Sequence, residues 1–418
     1  MADARPETTA STAPVAYSRK RIFFSLFALA LGGFGIGSTE FVVMGLLPDI
    51  AQDLLPDLYA SNTEDAISQT GWLISAYALG VVVGAPTIAA LSARFPRKKL
   101  LLALLAAFTL GTIASAVLQS FELVLLARFV AGLPHGAYFG IAALVAASLI
   151  GKEKRGQGVA IVLSGLTIAN VIGVPLITLL GQTAGWRIAY LVVAAIFAAT
   201  FVAVWAVLPA QPGDSTATMR RELAAFSRLQ VWLALLIGAV GFGGFFAVYS
   251  YVAPVVTEVT RLDESFVPIA LVCIGIGMTI GNLIGGRAAD HNIMGTVFAC
   301  FGLFVVSMLV FALFSSTVVG LLIGLFLVGG AASALSPAIQ TRLMDVAGES
   351  QTLAAAVNHA SLNLGNSLGA YLGGVTIAAG YGYLSPTWVG LLLCVPGILL
   401  AVFSLGLERR RPILRPAL

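Results

Sequence analysis

Charged side chains are scarce in this chain of 418 residues: Asp, Glu, Lys and Arg together make up 10% of it, against roughly 25% in a soluble domain. In their place the sequence has 59% hydrophobic residues and 45 glycines. A soluble fold of this length cannot bury that much apolar surface in one core. The same composition excludes a disordered chain, a collagen-like chain and a disulfide scaffold. Lipid must therefore surround most of the chain.

The sequence is also poor in the residues that build catalytic, metal and cofactor sites. Its three cysteines, Cys273, Cys300 and Cys394, lie within apolar runs without metal-ligand spacing, so we expect small buried hydrophobes. It contains no Walker loop, no H-E-x-x-H motif and no complete G-x-G-x-x-G motif. Residues 365–369 fit the G-x-S-x-G pattern of hydrolases, but they lie within an apolar run and not at a strand-to-helix elbow. We therefore predict no enzyme, no metal and no cofactor, and any uphill transport must use an ion gradient.

Continuous apolar runs of about 20 residues, long enough to span a bilayer as a helix, recur along the chain. The runs do not alternate with period two, so a membrane β-barrel is not expected. The predicted fold is all-α, with twelve transmembrane helices at residues 22–47, 69–91, 100–118, 123–150, 159–181, 188–208, 231–256, 267–289, 294–314, 318–341, 353–377 and 386–407.

The basic residues are distributed very unequally between the two sides of this predicted topology. Twenty Lys and Arg residues fall in the tails and loops assigned to the cytoplasm, whereas only Arg187 and Arg261 fall in outer loops. This positive-inside bias places both termini in the cytoplasm. It also accounts for the net charge of +4 without a nucleic-acid partner.

A polar segment in the middle of the chain divides the twelve helices into two groups of six. The predicted organisation is a cytoplasmic tail (1–21), a six-helix bundle (22–208), a cytoplasmic linker (209–230), a second six-helix bundle (231–408) and a C-terminal cytoplasmic tail (409–418).

The two groups of helices share small motifs at nearly constant separation. Glycine pairs recur at an offset of 197 residues, and an Asn-x-x-Gly pair recurs at 196. The matched residues are Gly80 with Gly277, Gly84 with Gly281, Asn170 with Asn366, and Gly173 with Gly369. Two matches at nearly one offset favour duplicated halves, as in transporters built from parallel six-helix repeats.

Local motifs resemble those of one transporter family. The loops at residues 89–98 and 286–291 resemble partial copies of the loop signature of the major facilitator superfamily. The first copy keeps the basic residues Arg94, Arg97 and Lys98, and the second keeps Asp290. The resemblance implies that these four residues belong to a gating loop network.

Further motifs are similar to the drug:proton antiporters of that superfamily. Residues 128–136 resemble its buried-arginine motif, and residues 173–175 resemble its antiporter signature. Over about residues 22–407 the chain is similar to the subset of chloramphenicol-resistance proteins and arabinose/sugar efflux permeases. This resemblance implies two pseudo-symmetric bundles, alternating access and proton-coupled export of chloramphenicol-like drugs or sugars.

Glu40 is the only acid, and Arg128 the only base, well inside a predicted span. Such residues are costly in lipid and mark functional sites. Glu40 lies about 12 Å and Arg128 about 9 Å from the outer ends of their spans at 1.5 Å per residue, so the two can pair. With His135, on the same helical face as Arg128, they are the predicted proton-coupling residues. Two alternatives stay open: a static Glu40–Arg128 pair that orients two helices, and a packing role for His135.

Candidate substrate-binding residues lie in spans 4, 5, 7 and 11. In span 11 the polar residues occur at i, i+4 and i+7, on a different face from a glycine stripe suited to close packing. Buried amides without partners are costly, so this polar face either lines a wet cavity or bonds to a neighbouring helix. The aromatic stripe of span 7 either lines the cavity or serves packing. The predicted binding residues are Tyr138, Asn170, Phe246, Tyr249, His359, Asn363 and Asn366.

The predicted function is proton-coupled export of small neutral or amphiphilic molecules. Only one acid and one base lie deep in the predicted spans, so few charged side chains are available to bind a charged substrate. A proton-coupled importer of a sugar or nucleoside would use the same parts, whereas a non-transporting receptor would usually have a sizeable soluble domain. The expected partners are the substrate, protons and the lipid bilayer. We expect a monomer in the inner (plasma) membrane of the cell.

Overall fold

The computed structural model describes residues 17–92, 95–151, 155–211, 224–347 and 351–410. Nearly all of these residues are helical. The helices of the first half are α1 (Arg19–Gly45), α2 (Leu47–Leu54), α3 (Pro56–Ser61), α4 (Thr63–Thr70), α5 (Trp72–Ser92), α6 (Arg97–Val117), α7 (Phe121–Gly132), α8 (His135–Ile150), α9 (Arg155–Ile168), α10 (Val174–Ala184) and α11 (Trp186–Val207). Those of the second half are α12 (Leu229–Tyr249), α13 (Val252–Pro254), α14 (Val267–His291), α15 (Ile293–Phe314), α16 (Val318–Ala347), α17 (Gln351–Thr376) and α18 (Ser385–Arg410).

These helices form the all-α, twelve-pass membrane architecture that the apolar runs predict. Eleven of the described helical segments are long and apolar enough to cross a bilayer. Helices α7 and α8 together form one pass, and so do α9 and α10. The twelfth pass is α17, which has 26 residues but whose polar side chains leave it outside the eleven.

The matched glycines of the two halves pack equivalent pairs of helices. Gly84 of α5 lies against the backbone of Leu133, at the junction of α7 and α8, and Gly281 of α14 lies against the backbone of Gly330 in α16. A Cβ at either glycine would overlap the facing carbonyl oxygen. Small residues allow helix backbones to approach this closely in lipid, and here they do so at corresponding places in both halves.

The fifth pass is interrupted by the π-helical turn Ala169–Gly173. Pro175, two residues after this turn, has no N–H to donate to the carbonyl of Val171. A widened turn accommodates such a missing bond. The turn lies against the other half of the molecule, because a Cβ built on Gly275 would come within 2.6 Å of the Asn170 carbonyl oxygen. Asn170 is thereby fixed at the seam between the halves.

The tenth pass is longer than its predicted range of 318–341, and this changes the environment of Arg342. The residue lies inside α16 and is 4% exposed. Its Nη1 pairs with Glu408 Oε2 at 3.0 Å, and its Nη2 donates to Gln230 Oε1 and Ser404 Oγ. The prediction that Arg128 is the only base inside a span is therefore wrong, because partners on α12 and α18 accommodate a second buried guanidinium.

Among the described residues, the hydrogen bonds across the seam between the halves lie from its middle to one end. That end, called outer here after the predicted topology, holds residues 46–71 and 250–266. Gln182 Nε2 of α10 donates to the Glu264 carbonyl at 3.0 Å there, and Ser75 Oγ of α5 donates to the Ser367 carbonyl of α17 at 3.1 Å. At the inner end, Lys98 Nζ instead donates to the Leu208 carbonyl of its own half. These contacts hold the seam together at its outer end.

Candidate functional site between the two halves

A cavity of about 750 Å³, including its open end, lies in the middle of the seam. The lining residues of the first half are Glu40, Phe41, His135, Leu166, Thr167 and Asn170; those of the second half are Phe242, Phe245, Phe246, Met278, Thr279, Asn282, Ala332, Ser333, Ser336, His359, Leu362 and Asn363. Among these described lining residues Glu40 is the single carboxylate, and none is Lys or Arg.

Glu40 is 5% exposed and connects the two halves. Helix α1 carries it to the cavity wall, where its Oε1 accepts a hydrogen bond of 3.2 Å from Asn366 Nδ2 of α17. Its Oε2 lies 3.9 Å from His135 Nδ1. A change in the charge of this carboxyl group therefore acts directly on a bond that crosses the seam.

Arg128 lies beside Glu40 but is not ion-paired with it among the described contacts. Its Nη1 donates to Thr39 Oγ1 at 3.2 Å, and the guanidinium lies 4.3 Å from the ring centroid of Tyr77. Nε and Nη2 of this 1%-exposed side chain have no hydrogen-bond partner. The Glu40–Arg128 pairing that equal depth allowed is thus absent among these contacts, because the Thr39 hydroxyl and the Tyr77 ring contact the guanidinium instead.

Tyr77 joins the predicted proton-coupling residues into one chain, although sequence reasoning missed it. Its hydroxyl forms a 3.2 Å hydrogen bond with His135 Nδ1, while its ring faces Arg128. The chain from Asn366 to Arg128 therefore runs through Glu40, His135 and Tyr77. The repeat-matched Gly80, one helical turn away, could have drawn attention to this stretch of α5.

An aromatic stack joins the halves next to this chain. The rings of Phe139 in α8 and His359 in α17 are parallel, with centroids 4.9 Å apart and an interplanar angle of 3°. The His135 ring lies 5.9 Å from that of His359. The predicted residues His135 and His359 are therefore neighbours although they come from different halves.

Helix α17 separates packing and cavity functions, as its two faces predict. Gly369 lies against the backbone of α12, where a Cβ would overlap the Gly243 carbonyl oxygen. On the other face, His359 and Asn363 line the cavity, and Asn366 reaches Glu40. Asn363 Nδ2 donates to the His359 carbonyl at 3.0 Å, whereas the Oδ1 atoms of Asn363 and Asn366 are buried without a partner. Those oxygens can accept further hydrogen bonds.

The aromatic stripe of α12 forms an apolar wall opposite the amides. Phe242, Phe245 and Phe246 line the cavity, and Phe246 stacks on Phe41 of α1 with ring centroids 6.2 Å apart. Tyr249 lies behind this wall, with its ring centroid 5.6 Å from that of Phe41. The cavity therefore has one aromatic side and one side rich in amides and hydroxyls.

The remaining predicted binding residues lie in different places. Asn170 lines the cavity, and its buried Oδ1 has no partner. Tyr138 lies outside the lining, because its hydroxyl points to α1 and donates to the Leu29 carbonyl at 2.9 Å. Sequence reasoning missed the lining residues Thr279, Asn282, Ser333 and Ser336. Their i, i+3 spacing in spans 8 and 10 places each pair on one helical face, as the i, i+4 and i+7 spacing does in span 11.

The predicted gating residues that the structure describes, Arg97, Lys98 and Asp290, lie outside the cavity lining. Lys98 bonds to carbonyls at the inner end of α11, and the Arg97 backbone N–H donates to the Gln211 carbonyl at 3.2 Å. Asp290 is exposed near the end of α14. Arg94 lies outside the described residues.

Comparison with known proteins finds one family model, several curated proteins and solved structures that are similar to this chain over most of its length. The family model described as Major Facilitator Superfamily matches residues 29–297 and 256–417. The chain is 39% identical over 392 residues to the inner membrane transport protein YdhP of Escherichia coli K12, covering 94% of this chain and 98% of that protein. It is 33% identical over 380 residues to a chloramphenicol resistance protein of Streptomyces lividans, covering 90% and 95%. Its fold resembles a crystal structure of a D-xylose-proton symporter, with a TM-score of 0.74, 16% identity, and coverage of 92% and 97%.

Proposed function

The chain belongs to the Major Facilitator Superfamily of membrane transporters, and from that membership we propose that it is a proton-coupled exporter of small neutral or amphiphilic molecules. The observation that carries the proposal is the buried Glu40 carboxyl group, which lines the cavity and is bonded across the seam by Asn366. An acid in such a place is expensive in a membrane protein and mostly serves a transport pathway.

Glu40 is the proposed proton carrier. As a carboxylate it accepts the Asn366 amide hydrogen bond and draws the halves together at mid-depth. As a neutral acid it holds that bond more weakly, since a charged acceptor makes the stronger bond. A substrate donor that binds Glu40 competes both with the proton and with Asn366, and this competition is the basis of antiport.

Arg128 and His135 have supporting roles in this scheme. The guanidinium, poorly satisfied by Thr39 and Tyr77, stabilises negative charge on Glu40 from close by. His135 lies within 3.9 Å of the carboxyl group and is bonded to Tyr77, so it holds Glu40 in place and offers a relay for its proton.

The cavity chemistry supports a neutral, partly aromatic substrate. The phenylalanine wall suits an aromatic or apolar portion. The unpartnered Oδ1 atoms of Asn170, Asn363 and Asn366 suit hydroxyl or amide donors, because a buried acceptor left alone is costly. Chloramphenicol combines a nitrophenyl ring with two hydroxyls and an amide, and the name of the Streptomyces relative supports testing it first. A sugar supplies the donors without the ring.

A location in the inner membrane fits export. We place both termini in the cytoplasm on the positive-inside bias, so the end of the seam that Gln182 and Ser75 bond across faces outward. The name of the Escherichia coli relative places that protein in the inner membrane.

Uptake into proteoliposomes with an imposed pH gradient tests the proposal, using labelled chloramphenicol and arabinose in parallel. With an acidic lumen, an antiporter accumulates solute as protons leave. We expect Glu40→Gln to abolish this accumulation and to weaken chloramphenicol binding, because the amide mimics the protonated acid with which the substrate competes. Glu122→Gln, at an exposed acid of α7, is the matched control and should behave as wild type. Full uphill transport by Glu40→Gln would assign the proton to another group, and accumulation under an acidic exterior would make the protein an importer.

A further inference from the structure

Tyr251 occupies a notch at the outer end of the seam, in the short non-helical step between α12 and α13. Its side chain is fully buried, and its hydroxyl donates a hydrogen bond of 2.6 Å to the Ala370 carbonyl of α17. Ala370 follows Asn366 by one helical turn, which is about 6 Å further out at 1.5 Å per residue. Tyr251 therefore lies outward of the Glu40–Asn366 bond, between the cavity and the outer end of the seam.

Glycines from both halves form the walls of this notch. A Cβ on Gly71, which joins α4 to α5 in the first half, would overlap the Tyr251 hydroxyl oxygen. A Cβ on Gly374 of α17 would lie 2.6 Å from the same oxygen and 2.9 Å from Ser68 Oγ of the first half, and one on Gly373 would lie 2.9 Å from the ring. Contacts below 3.0 Å are too short for a real Cβ atom. The tyrosine therefore fits only because these three positions carry no side chain.

Gly71 is the wall of the notch that Tyr251 meets across the seam. Its backbone is helical, with φ −56° and ψ −21°, a conformation that any residue adopts. The glycine is thus needed for space and not for conformational freedom. Tyr251 cannot yield that space, because its ring is rigid, its hydroxyl is bonded to Ala370 and Gly373 lies against the ring. The outer ends of the halves can therefore approach this closely only while residue 71 lacks a side chain.

We propose that Tyr251 is the outer gate of the transport path: it fills the notch beside Gly71 when the outer ends of the halves meet, and it leaves Gly71 when they separate. Its contacts with Ala370 and Gly373 belong to its own half and persist in both states, so the contact with Gly71 is the one that changes. The inference rests on the alternating access of the proposed function and adds a residue on which outer closure depends.

Two substitutions act in opposite directions on this contact. Gly71→Ala places a methyl group where the hydroxyl lies, so the outer ends cannot meet fully and the state with separated outer ends is favoured. Tyr251→Phe removes the hydroxyl oxygen that the methyl group overlaps. The ring carbon Cζ would then be 3.2 Å from that methyl group, a contact that a shift of a few tenths of an ångström relieves. The second substitution should therefore suppress the effect of the first.

The test measures outer-end distances without substrate, by double electron–electron resonance between spin labels at residues 60 and 316 of a Cys-free protein in nanodiscs. Both positions are exposed, one in each half. We expect Gly71→Ala to lower the ratio of short to long distances about tenfold, as overpacking of a closed contact does. Tyr251→Phe alone should change the ratio less than about twofold, because its bond to Ala370 is lost in both states, and the double variant should return to within about twofold of wild type.

Two further glycine variants complete the comparison. Gly302→Ala, in α15 where a Cβ meets no atom within 4 Å, is the matched control and should keep the wild-type distances. Gly374→Ala crowds the same hydroxyl and also Ser68 of the first half, so it should shift the distances as Gly71→Ala does, and it provides the test if Gly71→Ala does not fold.

Either of two results would overturn the gate. One is a wild-type distance distribution in Gly71→Ala, or in Gly374→Ala if the first variant does not fold. The other is a shift in Gly71→Ala that Tyr251→Phe does not reverse, because the added methyl group would then act on something other than Tyr251. These distances do not depend on drug transport. A failed export assay together with successful suppression would refute the proposed cargo or direction and leave the gate in place.

Discussion

The two halves share their helix packing but differ in where they hold charge. In the first half the cation Arg128 and the acid Glu40 lie beside the cavity and are only partly satisfied. In the second half the charged pair Arg342–Glu408 lies at the inner end, where Gln230 and Ser404 also bond to the guanidinium, and the polar residues facing the cavity are amides, hydroxyls and His359. In the proposed function, a duplicated scaffold is thus divided between a half that responds to protons and a half that recognises neutral groups.

The largest expected effect tests what the halves share. Gly84→Leu and Gly281→Leu should each abolish folded protein, because a side chain there overlaps a backbone carbonyl that cannot move alone. Size-exclusion profiles of detergent extracts provide the measurement. Gly286→Leu, where a Cβ meets open space, is the control. Normal yield of either variant would show that close packing is needed in only one half.

The next effect tests how the halves differ. Arg128→Gln should reduce uphill transport at least tenfold, because it removes the charge nearest Glu40. Arg342→Gln should leave transport near wild type but lower stability by about 1–3 kcal/mol, as expected for lost hydrogen bonds to a charged group. Thermal unfolding and proteoliposome uptake on both variants give the comparison. Equal loss of transport in the two variants would contradict the division of labour.

The smallest effect concerns neutral recognition. Asn363→Ala should raise the transport KM for chloramphenicol about three- to tenfold, the loss of one hydrogen bond, with unchanged expression. Gln119→Ala, an exposed amide at the outer surface, should leave KM unchanged. If Asn363→Ala alters only the amount of folded protein, the polar face of α17 is structural.

The spans, the paired glycines and the two faces of α17 could be predicted from the sequence because each depends on periodicity along one helix. The partner of Glu40 could not. Depth along the membrane allowed Arg128, whereas the contact observed is Asn366, 326 residues away. Depth fixes the height of a side chain but not the rotation of its helix, and rotation decides which residue at that height it meets.

The inner end of α16 shows a second limit of prediction from the sequence. Arg342 looked like an inner-loop base because apolarity stops before it, but the helix continues and buries it. Hydropathy reports where lipid contact ends and not where helical structure ends.

The low apolarity of α17 has a consequence for how the protein is made. A helix carrying His359, Asn363 and Asn366 gains little by entering lipid alone, and its glycine face has nothing to pack against until α12 is in place. Its insertion must therefore follow the assembly of earlier helices that receive it. Helix α17, which lines the cavity, is therefore also the helix whose insertion into the membrane depends on correct assembly of the other helices.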